Sequence, residues 1–282
     1  MNRSYPAKIL LFGEHTLLRG GRGLAVPYPR FALRWTVGVP DERLLKFVDY
    51  LDQPDFHPLL DTVRLYDETN KGARLAGDIP TGYGLGSSGA VCAAVLENYA
   101  TPSAQQLNFN YLRTLLARME GHFHGQSSGT DPLISYLRQP LLLSQGGAAG
   151  AVNLPESWPT GFFLLDTGHT RRASRLIEQF LNAHDGEMAN LIEQGWSKPV
   201  ERAITALIAD DRNLLYDTFA QISAFQIARF PHFIPEEFHA QWNGGGAYRL
   251  KLCGAGGGGM LLGLANDCAV AERVFGSQLS WL

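Results

Sequence analysis

Short apolar runs broken by glycine and proline dominate the amino-terminal part of the chain. Residues 8–12, 24–26 and 31–39 predict strands, and together a sheet built from hairpins. Residues 41–51 (DERLLKFVDYL) place their apolar positions on one helical face, and residues 74–79 predict another short strand, which Pro80 ends. From Gly86 to Tyr99 small and aliphatic residues take over, the pattern of a buried helix. Ser103 stands where it can cap a second helix, in which Leu107, Tyr111, Leu115, Met119 and Phe123 recur every four positions and are expected to face the core. Glu120 and His124 then fall at the edge of that stripe, within reach of a cleft.

The switch between strand and helix periods recurs further on. Residues 161–166 predict a strand, and Ala173, Leu176, Ile177, Phe180 and Leu181 give one apolar face to a helix starting at Arg172. Ser197 and Pro199 open another helix, while Leu215, Phe219 and Ile222 mark a third. Residues 248–253 and 260–264 predict two strands around a run of glycines, before a short final helix. Residues 146–157 (GGAAGAVNLPES) are poor in charge and in helix signals, so a boundary is placed there, between units 1–150 and 151–282. Two lobes with a cleft suit this length, because single cores seldom grow beyond about 250 residues.

Composition narrows the class of partner. With 45% hydrophobic and 18% charged residues the chain can bury a core and lacks the polar bias of disorder. A formal charge of −3 without any Lys/Arg cluster argues against a nucleic-acid surface and favours a small molecule. The three cysteines, Cys92, Cys253 and Cys268, show no paired spacing and read as reduced thiols of a cytosolic protein. The apolar run 9–12 is too short for a signal-peptide core, and no stretch approaches the roughly 18 apolar residues of a membrane span. The expectation is a cytoplasmic protein without a membrane partner, and a homodimer is compatible with it.

Candidate chemistry begins at residues 80–90, PTGYGLGSSGA, which follow a strand and open a helix. Glycines there let backbone amides approach an anion, the helix amino terminus adds unpaired N–H groups, and Ser87 and Ser88 add hydroxyls for phosphate or metal. The dinucleotide pattern G-x-G-x-x-G is also met, but the acidic residue wanted about 20 positions onward is replaced by Asn108-Phe-Asn110. A Walker loop is excluded by the missing G-K-[ST] ending. A glycine-rich helix entry without a ligand remains the plain alternative.

Phosphoryl transfer to an alcohol needs one carboxylate to accept the hydroxyl proton and another acid to hold magnesium, and Glu120 and Asp131 offer such a pair. Taken singly, Glu120 would serve equally as a solvated helix edge, and Asp131 as the cap of a helix beginning near Pro132. Zinc is poorly served, since only Glu120 and His124 share a helix face and the spacing is not H-E-x-x-H. Lys8 precedes an apolar strand core, an odd place for an amine unless it has a partner or snorkels from an exposed strand start. Arg171 and Arg172 open a helix where cations oppose its dipole, which leaves room for an anionic partner. Residues 254–259, GAGGGG, would cost much backbone entropy as a plain hairpin turn, so a close approach of backbone to ligand explains them better.

These segments together resemble the GHMP kinases, the superfamily of galactokinase, homoserine kinase, mevalonate kinase and phosphomevalonate kinase. Residues 80–90 are similar to its phosphate loop, residues 6–15 (PAKILLFGEH) to its first motif and residues 251–259 (KLCGAGGGG) to its third, in the same order and spacing over nearly the whole chain. Residues 120–131 resemble the mevalonate kinase stretch in which a helix ends in E-x-x-x-H-G and S-G-x-D follows. The resemblance implies an α+β, two-lobed fold, with a ribosomal protein S5 domain 2-like amino-terminal lobe, a ferredoxin-like carboxy-terminal lobe and ATP between them. It implies transfer of the γ-phosphoryl group of ATP to the primary hydroxyl of mevalonate. Asp131 would be the base and Lys8 its partner. Gly84, Leu85, Gly86, Ser87, Ser88 and Gly89 would cradle phosphates, and Ser88 and Glu120 would hold Mg2+.

By the same resemblance Glu14 and His15 would line the acceptor site, and Thr167 would hydrogen-bond near the base. Gly254 and Ala255 would belong to a loop that closes the site against the phosphate loop, and either Arg171 or Arg172 would approach substrate. Ala7, Cys253 and Met260 depart from the usual residues without removing a catalytic group. The bulky Tyr83 and the short stretch 40–75 leave the adenine pocket unassigned. Two alternatives stand beside this reading: another GHMP kinase, with S-G-x-D against homoserine kinase and G-E-H lacking the extended galactokinase pattern, and a non-catalytic nucleotide-dependent sensor.

Overall fold

The amino-terminal alternation builds a five-stranded antiparallel sheet of β1 (Tyr5–Phe12), β2 (Gly23–Val37), β3 (Ala73–Gly77), β4 (Leu141–Ser144) and β5 (Gly147–Ala151), in the order β1-β2-β4-β5 with β3 also paired to β2. The protein is described here from a computed structural model, which covers residues 3–145, 147–170 and 173–282. The two strands expected at 24–26 and 31–39 are one strand of 15 residues. Its Pro27 and Pro29 lie in the stretch left between the segments that β4 and β3 pair with, where a missing N–H breaks no ladder on that side.

The described residues of this half also form the helices α1 (Glu42–Leu51), α2 (Thr62–Asn70), α3 (Ser87–Tyr99), α4 (Pro102–Gln105), α5 (Phe109–His124) and α6 (Thr130–Leu137). The expected stripe on α5 is corrected. Thr101 caps α4 and Asn108 caps α5, and the buried face is Leu112, Leu115, Leu116, Met119 and Glu120, with Tyr111 and Phe123 exposed. Steps of four overshoot a full turn by about 40° each, so a strict run of fours winds off any one face. Glu120 is therefore inside, not at the edge.

The second half adds β6 (Phe162–Asp166), α7 (Ala173–His184), α8 (Ala189–Ile192), α9 (Lys198–Ile208), α10 (Arg212–Arg229), β7 (Tyr248–Leu252), β8 (Met260–Ala265), α11 (Cys268–Phe275) and β9 (Leu279–Trp281). Its sheet runs β7-β8-β6-β9, all antiparallel, which is the ferredoxin-like β-α-β-β-α-β path with extra helices after its first strand. The sequence pattern left β4, β5, β9 and α2 unforeseen, and β5 runs through the segment read as a linker.

The two sheets draw on separate parts of the chain, yet one buried cluster joins Ile9, Leu11 and Phe12 of β1 to Phe162, Ile204 and Phe219. The Phe12 ring meets Phe162 and Phe219 edge-on at centroid distances of 6.5 and 6.3 Å. The opposite face of the first sheet, through Ala25, Leu141 and Leu143, packs on α1, α3, α5 and α6. Thus β1 lies between two cores, and a side chain at its open edge is held firmly. Among the described residues no helix is long and apolar enough to cross a membrane.

Candidate functional site

The glycine-rich loop at residues 80–90 is shaped by positive φ angles at Gly82 (82°), Gly84 (74°) and Gly86 (75°), a region that penalises any Cβ. Gly86 is the N-cap of α3 and no side chain caps that end, so its first-turn amides are free to face an anion. Glycine also permits close approach. A Cβ on Gly86 would stand 3.0 Å from Lys8 Cγ and 3.4 Å from Asp131 Oδ2, and one on Gly89 would stand 2.7 Å from the Asp131 carbonyl carbon. The Lys8 amide donates to the Leu85 carbonyl at 2.9 Å. Loop, β1 and α6 thus converge on one point.

At that point Lys8 Nζ lies 3.0 Å from Asp131 Oδ1. Asp131 sits in the first turn of α6, whose N-cap is Gly129, so it is not a capping residue. The pair opens into a cavity of about 430 Å³ bordered by Leu10, Leu17, Leu18 and Leu143 on its apolar side and by Ser128, Thr130 and Gln145 on its polar side. An alcohol placed there meets a carboxylate that can take its proton and an ammonium that can stabilise the developing alkoxide.

Glu120 reaches the same region from α5. Ser88 Oγ donates to its Oε1 at 3.0 Å, Ser127 donates to Oε2, and His124 Nε2 lies 3.0 Å from Ser88 Oγ. Burial, with the nearby Asp131 charge, pushes the Glu120 carboxyl up to about 7, against the hydrogen bonds of Ser127 and Ser88 and the Lys8 charge. A carboxylate destabilised in this way is suited to a cation. The donors Ser88 and Glu120 are hard oxygens that fit magnesium, which takes few protein ligands when phosphates supply the others. Among the described residues no group of three or more His, Cys, Asp or Glu could hold a metal.

The G-E-H segment departs from its expected role. Glu14 is 1% exposed, its Oε1 accepts from Gln226 Nε2 at 2.7 Å, and Lys251 Nζ stands 2.8 Å from its Oε2, so the carboxylate faces inward and not an acceptor site. His15 is buried against Phe180, Trp196 and Phe233, and its Nε2 donates to the Ala255 carbonyl at 3.0 Å. Its φ of 61° and ψ of −49°, with Thr16 N donating to Glu14 O at 2.7 Å, describe a strained γ-turn.

Thr167 ties the end of β6 to the glycine run: its Oγ1 and its amide donate to the Gly259 carbonyl at 2.8 and 3.1 Å. That hydroxyl proton is thereby committed away from the base. Gly254 opens the run at φ 103°, and a Cβ on Gly259 would stand 2.8 Å from the Tyr83 carbonyl oxygen, so the run packs on the phosphate loop. Arg171 and Arg172 lie outside the described residues.

Ser127, Gln226 and Lys251 were missed by sequence reasoning, as was the leucine wall of the cavity. Lys251 had a signal, a charge inside the apolar strand YRLKL.

Residues 58–139 match the family described as GHMP kinases N terminal domain. The mevalonate kinase of Thermococcus gammatolerans is 24% identical over 304 aligned residues that cover 94% of this chain and 89% of that protein. The structure of L. major mevalonate kinase in complex with R-mevalonate matches with a TM-score of 0.67 at 16% identity, over 97% of this chain and 90% of that one. Streptococcus pneumoniae phosphomevalonate kinase matches with a TM-score of 0.68 at 15% identity, over 99% and 98%. At such identities structural likeness speaks for the fold.

Proposed function

Since the chain belongs to the GHMP kinases, we propose that it moves the γ-phosphoryl group of ATP to the primary hydroxyl of mevalonate, giving 5-phosphomevalonate and ADP in the cytoplasm. The observation that carries the reading is the Lys8–Asp131 pair, 3.0 Å apart, facing a cavity of about 430 Å³ beside the amino terminus of α3. Asp131 accepts the hydroxyl proton, and Lys8 holds the carboxylate in place and stabilises the alkoxide. Residues 84–89 cradle the phosphates through backbone amides and hydroxyls. Ser88 and Glu120 would hold magnesium, which would neutralise phosphate charge. The remaining work is positioning.

The relatives named mevalonate kinase support the acceptor, while the structural likeness to phosphomevalonate kinase is just as close. The cavity favours the former. Among the described residues that line it Lys8 is the one cation, and a second phosphate on the acceptor would call for further Arg or Lys. A leucine wall also suits a methyl-bearing chain better than a sugar.

A coupled assay of ADP release against mevalonate, phosphomevalonate, homoserine and galactose tests this. Mevalonate should give the highest kcat/KM. Preference for another acceptor overturns the substrate, and the absence of ADP release with all four overturns the kinase in favour of a nucleotide-dependent sensor.

A further inference from the structure

Lys251 and Glu14 have side chains with 0% exposure, and they meet at 2.8 Å. Neither borders the cavity at Lys8 and Asp131. Two charges taken fully out of water are costly, and apolar residues of similar volume usually stabilise a fold at least as well. Their surroundings suggest what they do instead.

The contacts form a closed ring around one residue, Leu252, the last of β7. Lys251 Nζ donates to the Leu252 carbonyl at 2.6 Å, and the Leu252 amide donates to Gln226 Oε1 at 2.8 Å. Gln226 Nε2 donates to Glu14 Oε1 at 2.7 Å, and Glu14 Oε2 returns to Lys251. β8 is the only strand beside β7, and on its outer side β7 meets backbone only through a bridge of Arg249 with Asn243 and the Leu250 amide, which donates to the Trp242 carbonyl at 3.4 Å, so the outward groups of Leu252 have no ladder partner. Side chains from β7, α10 and the G-E-H turn supply one. Three residues later His15 holds the Ala255 carbonyl, a second tether from the same turn.

We infer that Lys251, with Glu14 and Gln226, is a positioning residue: the ring fixes the point where β7 gives way to the glycine run, and so sets where residues 254–259 stand over the phosphate loop. The glycines cannot do this themselves, because each is free to rotate. The far end of the run is already anchored by Thr167 and by the Gly259 amide, which donates to the His169 carbonyl at 2.7 Å. With both ends fixed, the run becomes a wall and not a flexible hairpin. This inference rests on the kinase reading above only for its effect on turnover.

The test compares Lys251→Met, the double variant Glu14→Leu with Lys251→Met, and Gln226→Met. Lys251→Met strands a buried carboxylate and is expected to lower Tm sharply, whereas the double variant removes both charges and is expected to regain Tm. The double variant and Gln226→Met should nevertheless lose about 10- to 100-fold in kcat, with KM for the acceptor little changed, because a small displacement of a site wall is costly to turnover. Hydrogen exchange of residues 252–259 in nucleotide-free protein should also quicken in both. Wild-type kcat and exchange in a double variant with restored Tm overturn the inference, as they do in Gln226→Met, which keeps both charges. If wild-type protein shows no kinase activity the function fails, and the exchange experiment alone then decides the tether.

Discussion

Replacing Asp131 by Asn keeps the side-chain shape but removes a proton-accepting charge, and with it the ion pair to Lys8. The amide has the same shape, and α6 keeps its Gly129 cap, so the helix loses only the favourable placement of an acid in its first turn. That placement is worth about 0.3–1 kcal/mol, a small shift in Tm. Loss of a general base, in contrast, costs about 10²- to 10⁴-fold in kcat, or roughly 3 to 5 kcal/mol of transition-state stabilisation. Lys8 acts on the same proton transfer from 3.0 Å away, where two unit charges attract by about 1 to 6 kcal/mol between aqueous and partly buried screening. Lys8→Met should therefore show a similar loss. If the two form one device, the double variant should fall within about tenfold of the worse single variant, far short of the product of both. Steady-state kcat with saturating ATP and acceptor, checked by nucleotide binding and Tm, reads all four proteins. Turnover near wild type in Asp131→Asn refutes the assignment of the base, and strict additivity refutes the pairing with Lys8.

Ser88→Ala and Glu120→Gln should each raise the magnesium concentration needed for half-maximal rate, and an unchanged requirement in both folded variants removes them from the metal site. In magnesium-free protein the Glu120 carboxyl, pushed up to about 7 from an ordinary 4.5, binds its proton more tightly folded than unfolded. Stability should therefore fall, by on the order of 3 kcal/mol, as pH rises from the lower to the higher of these values, and Glu120→Gln should flatten a urea-denaturation profile over that window. Gly86→Ala forces a side chain into a φ of 75° and against Lys8 Cγ at 3.0 Å. It should cost about 1–2 kcal/mol of stability from the backbone alone and reduce kcat by displacing Lys8, and a normal kcat would show that the loop does not set the pair.

Much of the fold was legible where one local signal sufficed. The helices after Asp41 and at residues 87–99, and the strands at 5–12, 162–166, 248–252 and 260–265, follow from caps, composition and apolar runs. The failures have physical causes. β4, β5 and β9 are short, and their pairing energy comes from distant strands; α5 was rotated because a spacing of four is not the helical period. At the site Lys8 meets Asp131 and Ser88 meets Glu120, while Glu14 faces a buried lysine.

This unevenness follows from how each part of the substrate is recognised. In the proposed reaction phosphate would be bound by backbone amides, and backbone that must approach an anion or adopt positive φ demands glycine, which leaves a visible mark at residues 82–89 and 254–259. The acceptor would be bound by ordinary side chains. Leu10 and Leu143 belong to strands and half face the core, Leu17 and Leu18 lie in a short turn, and only the pairing of β1, β2 and β4 brings them around Lys8. Nothing in their local sequence separates them from core leucines. The donor side of the reaction is therefore written in motifs, and the acceptor side only in the fold, so substitutions at Leu17 and Leu143 are the place to look for changes in acceptor preference that leave the handling of ATP intact.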